Sequence, residues 1–262
     1  MAITLRSRRE IQMIREAGAV VAKVLLKLQE FARPGISTAQ LDQLATQMTE
    51  EAGAIALFRG VPCPTGGRPF PGAICASLNE QLVHGIPSTS VILRSGDVLS
   101  IDFGVKLNGY CGDAAVTFGI GEVSPQKQKL IDVTRRLLDI AIENAAPGIL
   151  WSSIAGRMED SARQAGFSVV RDFVGHGIGT DMHEDPKVPN FVSRDLLRND
   201  ILLREGMVLA IEPMVNAGKY SVRTLSDGWT VVTRDGKCCA HFEHTIAITQ
   251  SGCEILTDRK EN

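Results

Sequence analysis

Four acidic residues stand in segments that otherwise read as β-strand. Asp102 and Asp113 lie on either side of Asn108-Gly109 in the run Val98 to Phe118, Glu212 follows the alternating stretch GMVLAI, and Glu243 interrupts AHFEHTIAIT. An Asn-Gly pair between alternating residues is a strong hairpin signal. The two-residue turn it predicts pairs Leu99 with Phe118, Ile101 with Val116, Phe103 with Ala114 and Val105 with Gly112 on a core face. The opposite face then carries Ser100, Asp102, Gly104, Asp113, Ala115 and Thr117. Asp102 and Asp113 become diagonal neighbours there, roughly 7–8 Å apart at the backbone. One such acid alone reads equally well as a solvated strand residue or half of a structural ion pair. Carboxylates this close call for a counter-cation, and burying four of them unpaired is prohibitive.

The chain has five histidines, His84, His176, His183, His241 and His244. His176 and His183 fall in VGHGIGTDMHEDP, where Gly175, Gly177 and Gly179 are expected to let the backbone approach something closely. His84, in NEQLVHGIP, reads on its own as a loop histidine. Several alternative chemistries are absent from the pattern. No G-x-G-x-x-G or G-x-x-x-x-G-K-[ST] loop argues for a nucleotide, no H-E-x-x-H for a thermolysin-like zinc site, and no G-x-S-x-G for a serine elbow.

The elements that must carry these residues are legible in outline. Ser7 to Phe31 has apolar residues at helical spacing and stops at Arg33-Pro34-Gly35; Ser37 then caps a second helix through Glu51, closed by Ala52-Gly53. The same grammar returns with a long helix from Pro125 to Ala146, a Pro147-Gly148-Ile149 stop, a second helix and Ala165-Gly166. This internal echo predicts two similar halves, about 1–120 and 121–262, with a site between them. With 262 residues, 44% apolar and 22% charged, the chain can bury a substantial core as one folded unit. A net charge of −2 and short basic clusters such as Arg6, Arg8 and Arg9 give no field for nucleic acid. The cysteines (63, 75, 111, 238, 239 and 253) form no C-x-x-C pair and are too sparse for a disulfide scaffold. The charged opening MAITLRSRRE is not a secretory signal, and no run of about 18 apolar residues occurs. A cytoplasmic protein with reduced thiols and no membrane segment is expected.

The strings NEQLVHGIP, SIDFGVKLNGYCGDAAVTF, GHGIGTDMHEDPKVPN, GMVLAIEPM, DGWTVVTRDGKCCAHFEHT and GCEILT, in this order over nearly the whole chain, resemble the type I methionine aminopeptidases. The resemblance implies an α+β pita-bread fold, two pseudo-symmetric halves with a curved antiparallel sheet covered by helices. It implies two divalent metal ions, Co(II), Mn(II) or Fe(II), with Zn(II) and Ni(II) as further options. Asp102 is then expected to hold the first metal, Asp113 and Glu243 to bridge both, and His176 and Glu212 to complete the second. Glu212 would also move protons, His183 would stabilise the oxyanion, and His84 would contact the scissile amide. The implied reaction removes an N-terminal methionine before a small residue, from nascent polypeptides near the ribosome, with the enzyme acting as a monomer. Phe70, Cys75, His84 and Trp229 would form the methionine pocket. Its rim departs from the family pattern in CPTGGRPFPG (63–72), where Gly67 stands near an expected aromatic, and at Met182, so a wider or more flexible rim is expected. Two rival readings are a prolidase-type hydrolase, which normally carries an extra N-terminal domain, and a non-catalytic binder, which typically lacks the metal ligands. Met1 followed by small Ala2 is compatible with self-processing.

Overall fold

The computed structural model of the protein describes residues 3–259; Met1-Ala2, and with them the expectation of self-processing, lie outside the described residues. The chain opens with helices α1 (Arg8–Phe31) and α2 (Thr38–Glu51), followed by β1 (Ile55–Ala56), β2 (Cys75–Leu78), β3 (Gln81–Val83), β4 (Val98–Leu107) and β5 (Tyr110–Gly119). A second helix pair, α3 (Pro125–Asn144) and α4 (Trp151–Gln164), leads into β6 (Ser168–Val169), β7 (Gly175–Gly177), β8 (Glu184–Val188) and the short α5 (Arg194–Arg198). The remaining strands are β9 (Val208–Ile211), β10 (Met214–Asn216), β11 (Val222–Thr224), β12 (Val231–Thr233), β13 (Cys239–His241), β14 (His244–Ile248) and β15 (Cys253–Ile255).

Local chemistry sets the helix ends. Ser7 and Ser37 each close a capping box, with Glu10 and Gln40, and Ser124 caps α3 ahead of Pro125. The predicted echo is present in three dimensions. After α1, Gly35 N donates to Leu93 O at 2.9 Å and Ser37 bridges Ile92; after α3, Gly148 N donates to Leu203 O at 2.9 Å and Leu150 bridges Leu202. Helix α3 stops at Asn144, with Ala145 as its cap, slightly before the expected end.

The β4–β5 hairpin has the predicted register from Val98 opposite Gly119 to Leu107 opposite Tyr110. Its turn is the one Asn-Gly favours, with left-handed φ of 49° at Asn108 and 86° at Gly109. Both of its faces are covered. Ile101, Phe103 and Val105 join the main core, while Ser100, Asp113 and Thr117 on the other face are also buried. In the second half the order β15-β14-β9-β7-β8 forms an antiparallel sheet. Alternation splits β9 between two clusters, with Leu209 and Ile211 in the main core and Val208 and Ala210 packed with Ile14, Cys111 and Ile178. The main core takes side chains from both halves, from Leu25 and Phe103 to Trp151 and Phe242. This is the pita-bread α+β architecture that the resemblance implies. No helix among the described residues is long and apolar enough to cross a membrane.

Candidate metal centre and active site

The four acids and His176 are delivered to one place by strand pairing. Register sets Asp102 of β4 opposite Ala115 and Asp113 of β5 opposite Gly104. Glu243, between β13 and β14, pairs its backbone with Ala115 of β5 in both directions, at 3.0 and 3.4 Å. Thr245 continues this seam: its hydroxyl accepts from Asp113 N at 3.2 Å and donates to Asp113 O at 2.7 Å. Glu212 follows the end of β9, where its carbonyl accepts from Asn190 Nδ2 at 3.0 Å. His176 of β7 lies opposite Ala210 of β9, which brings its Nε2 to 3.7 Å from Glu212 Oε1. His176 Nδ1 is 2.9 Å from the carbonyl of Gly177. A carbonyl only accepts, so Nδ1 carries the proton and Nε2 offers its lone pair to the cluster.

Asp113, His176 and Glu243 each offer a ligand atom within 4.8 Å of the others. Asp102 and Glu212 flank this group. Burial raises the pKa of all four carboxyls, and the neighbouring carboxylates add to the rise, taking Asp113 to about 8 and Glu212, by burial, to about 7. Oδ1 of Asp102, Oδ1 of Asp113 and Oε1 of Glu243 are buried with no hydrogen-bond partner. The Arg259 guanidinium acts on Glu243 in the opposite sense, more weakly than burial and the neighbouring carboxylates. Orphaned carboxylate oxygens beside a free imidazole lone pair form a donor set that fits divalent cations.

The cluster opens on a cavity of about 1060 Å³ that His84, His183, Phe70, Cys75 and Trp229 also line. Phe70 and Trp229 meet edge to face with centroids 5.2 Å apart. Cys75 of β2 stands opposite Asp102. His84 holds a left-handed φ of 59° and turns its ring edge-on to Trp229 and Phe173, at 6.3 and 5.7 Å. His183 lies 4.4 Å from His176, ring to ring. Burial pushes the His84 pKa down to about 4 and lowers that of His183, so both rings are neutral near pH 7 and each keeps one N–H donor.

At Gly67 a Cβ would lie 3.2 Å from Cys63 Sγ, and Cys63 packs with Phe58, Phe70, Cys75 and Trp229, with Met182 against them. The close approaches expected at Gly175, Gly177 and Gly179 are present and are to the protein itself, to Ala210 O, Asp185 O and the Arg6 guanidinium. Sequence reasoning gave no role to His241, whose Nε2 lies 3.5 Å from Glu212 Oε2, nor to Phe58, Cys63 and Phe173. In the alternating run AHFEHTIAIT, His241 stands two residues before Glu243, a spacing that puts both on one side of an extended chain and so could have pointed to it.

A carboxylate-rich cation site on the floor of a cavity, set between two similar antiparallel halves, is the construction of a metal-dependent hydrolase. The chain belongs to metallopeptidase family M24, whose model matches residues 12–250. Within that family its relatives are methionine aminopeptidases. Methionine aminopeptidase 1 of Bacillus subtilis is 48% identical, across 97% of this chain and 99% of its own. The methionine aminopeptidase of Aquifex aeolicus is 44% identical, across 98% and 100%. The crystal structure of the methionine aminopeptidase from Thermotoga maritima superposes with a TM-score of 0.91 at 38% identity, covering 98% of this chain and 100% of that one. The prolidase from Pyrococcus furiosus, at 21% identity and a TM-score of 0.76, shares the fold.

Proposed function

We propose that this metallopeptidase removes the N-terminal methionine of nascent polypeptides whose second residue is small, using two divalent metal ions, as a monomer in the cytoplasm close to the ribosome. The observation that carries this reading is the convergence of Asp113, Glu243 and the His176 lone pair, with Asp102 and Glu212 lining the same cavity, beside an aromatic, sulfur-lined pocket. Asp102 would hold one ion, Asp113 and Glu243 both, and His176 and Glu212 the other. The oxygen-rich donor set with one imidazole favours Mn(II), Fe(II) or Co(II). Such ions supply Lewis acidity, which makes water a nucleophile near neutral pH and polarises the scissile carbonyl.

The chain's own side chains do the rest. Phe70, Cys75 and Trp229 receive the methionine side chain, where a thioether gains contact with aromatic rings and sulfur. Glu212, with a carboxyl pKa raised by burial, takes a proton from water at its carboxylate and returns it to the leaving amine. His183, neutral and donating, stabilises negative charge developing on the carbonyl oxygen. His84, held beside the pocket by its left-handed backbone, donates to the scissile amide and helps carry the proton to the leaving nitrogen.

Methionine release from Met-Ala-Ser, Met-Pro-Ser, Met-Lys-Ser and Leu-Ala-Ser by metal-stripped protein, with Mn(II) or Co(II) restored, tests the reading. Metal-dependent cleavage of Met-Ala-Ser and Met-Pro-Ser alone is the expected result. Cleavage only before proline, whatever the first residue, would replace it with a prolidase-type activity, and metal binding without cleavage would replace it with a binding role.

A further inference from the structure

The loop from Ile178 to His183, between β7 and β8, carries two active-site residues, Met182 and His183. It is held from the other half of the molecule. Cys111 N donates to Gly179 O at 2.8 Å, and Lys106 Nζ donates to Thr180 O at 2.6 Å. Glu184 closes the loop on itself: its Oε1 accepts from Thr180 N at 2.9 Å, Asp181 N at 3.1 Å and Thr180 Oγ1 at 3.3 Å. Both oxygens of that carboxylate also accept from Arg6 Nη2, the Oε1 contact being 2.6 Å.

Arg6 is no ordinary surface cation. Its side chain is 7% exposed and that of Glu184 17%. The guanidinium lies against Gly179 so closely that any Cβ there would collide with it. The backbone of Arg6 is anchored as well, its N–H donating to Gly206 O at 2.7 Å, and Ser7 next to it starts the capping box of α1. A buried ion pair of this kind is a weak source of net stability but a strong source of fixed geometry, since removing either partner strands the other. Both ends of the pair lie on the cavity wall, so what it fixes is the wall itself.

We propose that Arg6 is a positioning residue of the active site. Through Glu184, the segment ahead of α1 holds the 178–183 loop so that His183 faces the reacting carbonyl. This rests on the role given to His183 above. The loop is short, and a shift of its tip by about 1 Å is enough to cost on the order of 100-fold in rate.

The test is a double-mutant cycle on Mn(II)-loaded enzyme with Met-Ala-Ser as substrate. Arg6→Met is expected to lower kcat on the order of 10- to 100-fold with little change in KM. Arg6→Lys, which keeps the charge but loses the planar fork, recovers part of the loss. In a His183→Ala background, Arg6→Met has almost no further effect, because the group it positions is gone. If Arg6→Met instead multiplies the loss already caused by His183→Ala, Arg6 acts on stability or elsewhere and the inference fails while the functional reading stands. If His183→Ala alone leaves kcat unchanged, the role of His183 is wrong and both fall. A readout independent of turnover is the NMR spectrum of ring-labelled histidine. The His183 resonance should move in Arg6→Met while that of His244 stays in place, and an unmoved His183 signal overturns the proposal.

Discussion

A carboxyl group taken out of water keeps its proton until a cation replaces the solvent, and in this cluster that rule has a measurable pH signature. In the metal-free protein Asp113 titrates at about 8 and Glu212 at about 7, against ordinary values of 3.8 and 4.5. The folded state therefore binds more protons than the unfolded state across that interval. The stability these groups contribute is fully present below their ordinary values and is lost as pH rises through the folded ones. Buried histidines act in the opposite sense and lower down: His84 and His241, depressed to about 4 and 3, lose stability only as pH falls below 6.5. Between pH 6.5 and 8 the carboxyls act alone. The stability of metal-stripped protein, followed through its melting temperature, should fall across this window by up to ~1.4 kcal/mol per pH unit for each proton still held, and added Mn(II) should remove the slope. A flat scanning-calorimetry profile without metal would show that the four acids are not desolvated together. The same residues separate in function. Asp102→Ala and Glu243→Ala should abolish activity with loss of bound metal by emission spectrometry. Glu212→Gln should keep most of the metal and lose roughly 10²–10⁴-fold in kcat, the range of a general acid–base group. Comparable activity in all three would mean that the site lies elsewhere.

At the scale of elements, the acids are aimed by packing so tight that two facing glycines become structural requirements. Gly112, beside Asp113 on β5, meets α1 at Gly18, and a Cβ at Gly112 would fall 2.7 Å from Gly18 N. Gly112→Ala must push α1 off the hairpin, at a cost of about 1–3 kcal/mol. That corresponds to about 2–4 °C of melting temperature per kcal/mol in a chain of this size. Gly252→Ala, with nothing within 4 Å of the added atom, should leave the melting temperature alone. Equal melting in the two variants would contradict the tight crossing. The hairpin that carries Asp102 and Asp113 was readable to the residue because Asn108-Gly109 is local information, and so was the cap at Ser37. Pairing between Ala115 and Glu243 was not readable, since nothing near either residue encodes a partner so distant in the chain. Arg6 failed for the same reason. Beside Arg8 and Arg9 it looks like part of a solvated basic cluster, and only Gly179 and Glu184, far away in sequence, bury it.

Across the whole molecule, the repeated halves explain why the site lies at their seam. Strands β4 and β9 follow corresponding turns, and each delivers its acid, Asp102 or Glu212, at the matching position. Neither half holds the complete set, so the distance between β5 and the Glu243 segment decides whether the set converges. Two threonine hydroxyls bridge that seam. Thr117 Oγ1 donates to His241 O at 2.6 Å and accepts from His241 N, while Thr245 Oγ1 links to both N and O of Asp113. Thr245→Val keeps the shape but leaves the Asp113 N–H and C=O without partners, at about 1–3 kcal/mol for each stranded group. A purely structural role would end there. If the bridge also holds Asp113 within reach of His176 and Glu243, the variant should bind Mn(II) about 10–100-fold more weakly, the usual effect of losing a group that orients a metal ligand. Thr134→Val is the control: that hydroxyl is buried and donates to Leu130 O inside α3, away from the seam, so its loss should lower the melting temperature and leave Mn(II) affinity unchanged. Calorimetric titration of Mn(II) into the metal-stripped variants distinguishes the two cases. Unchanged affinity in Thr245→Val would mean that β5 and the Glu243 segment hold their spacing without the bridge, through the Ala115–Glu243 backbone pair alone.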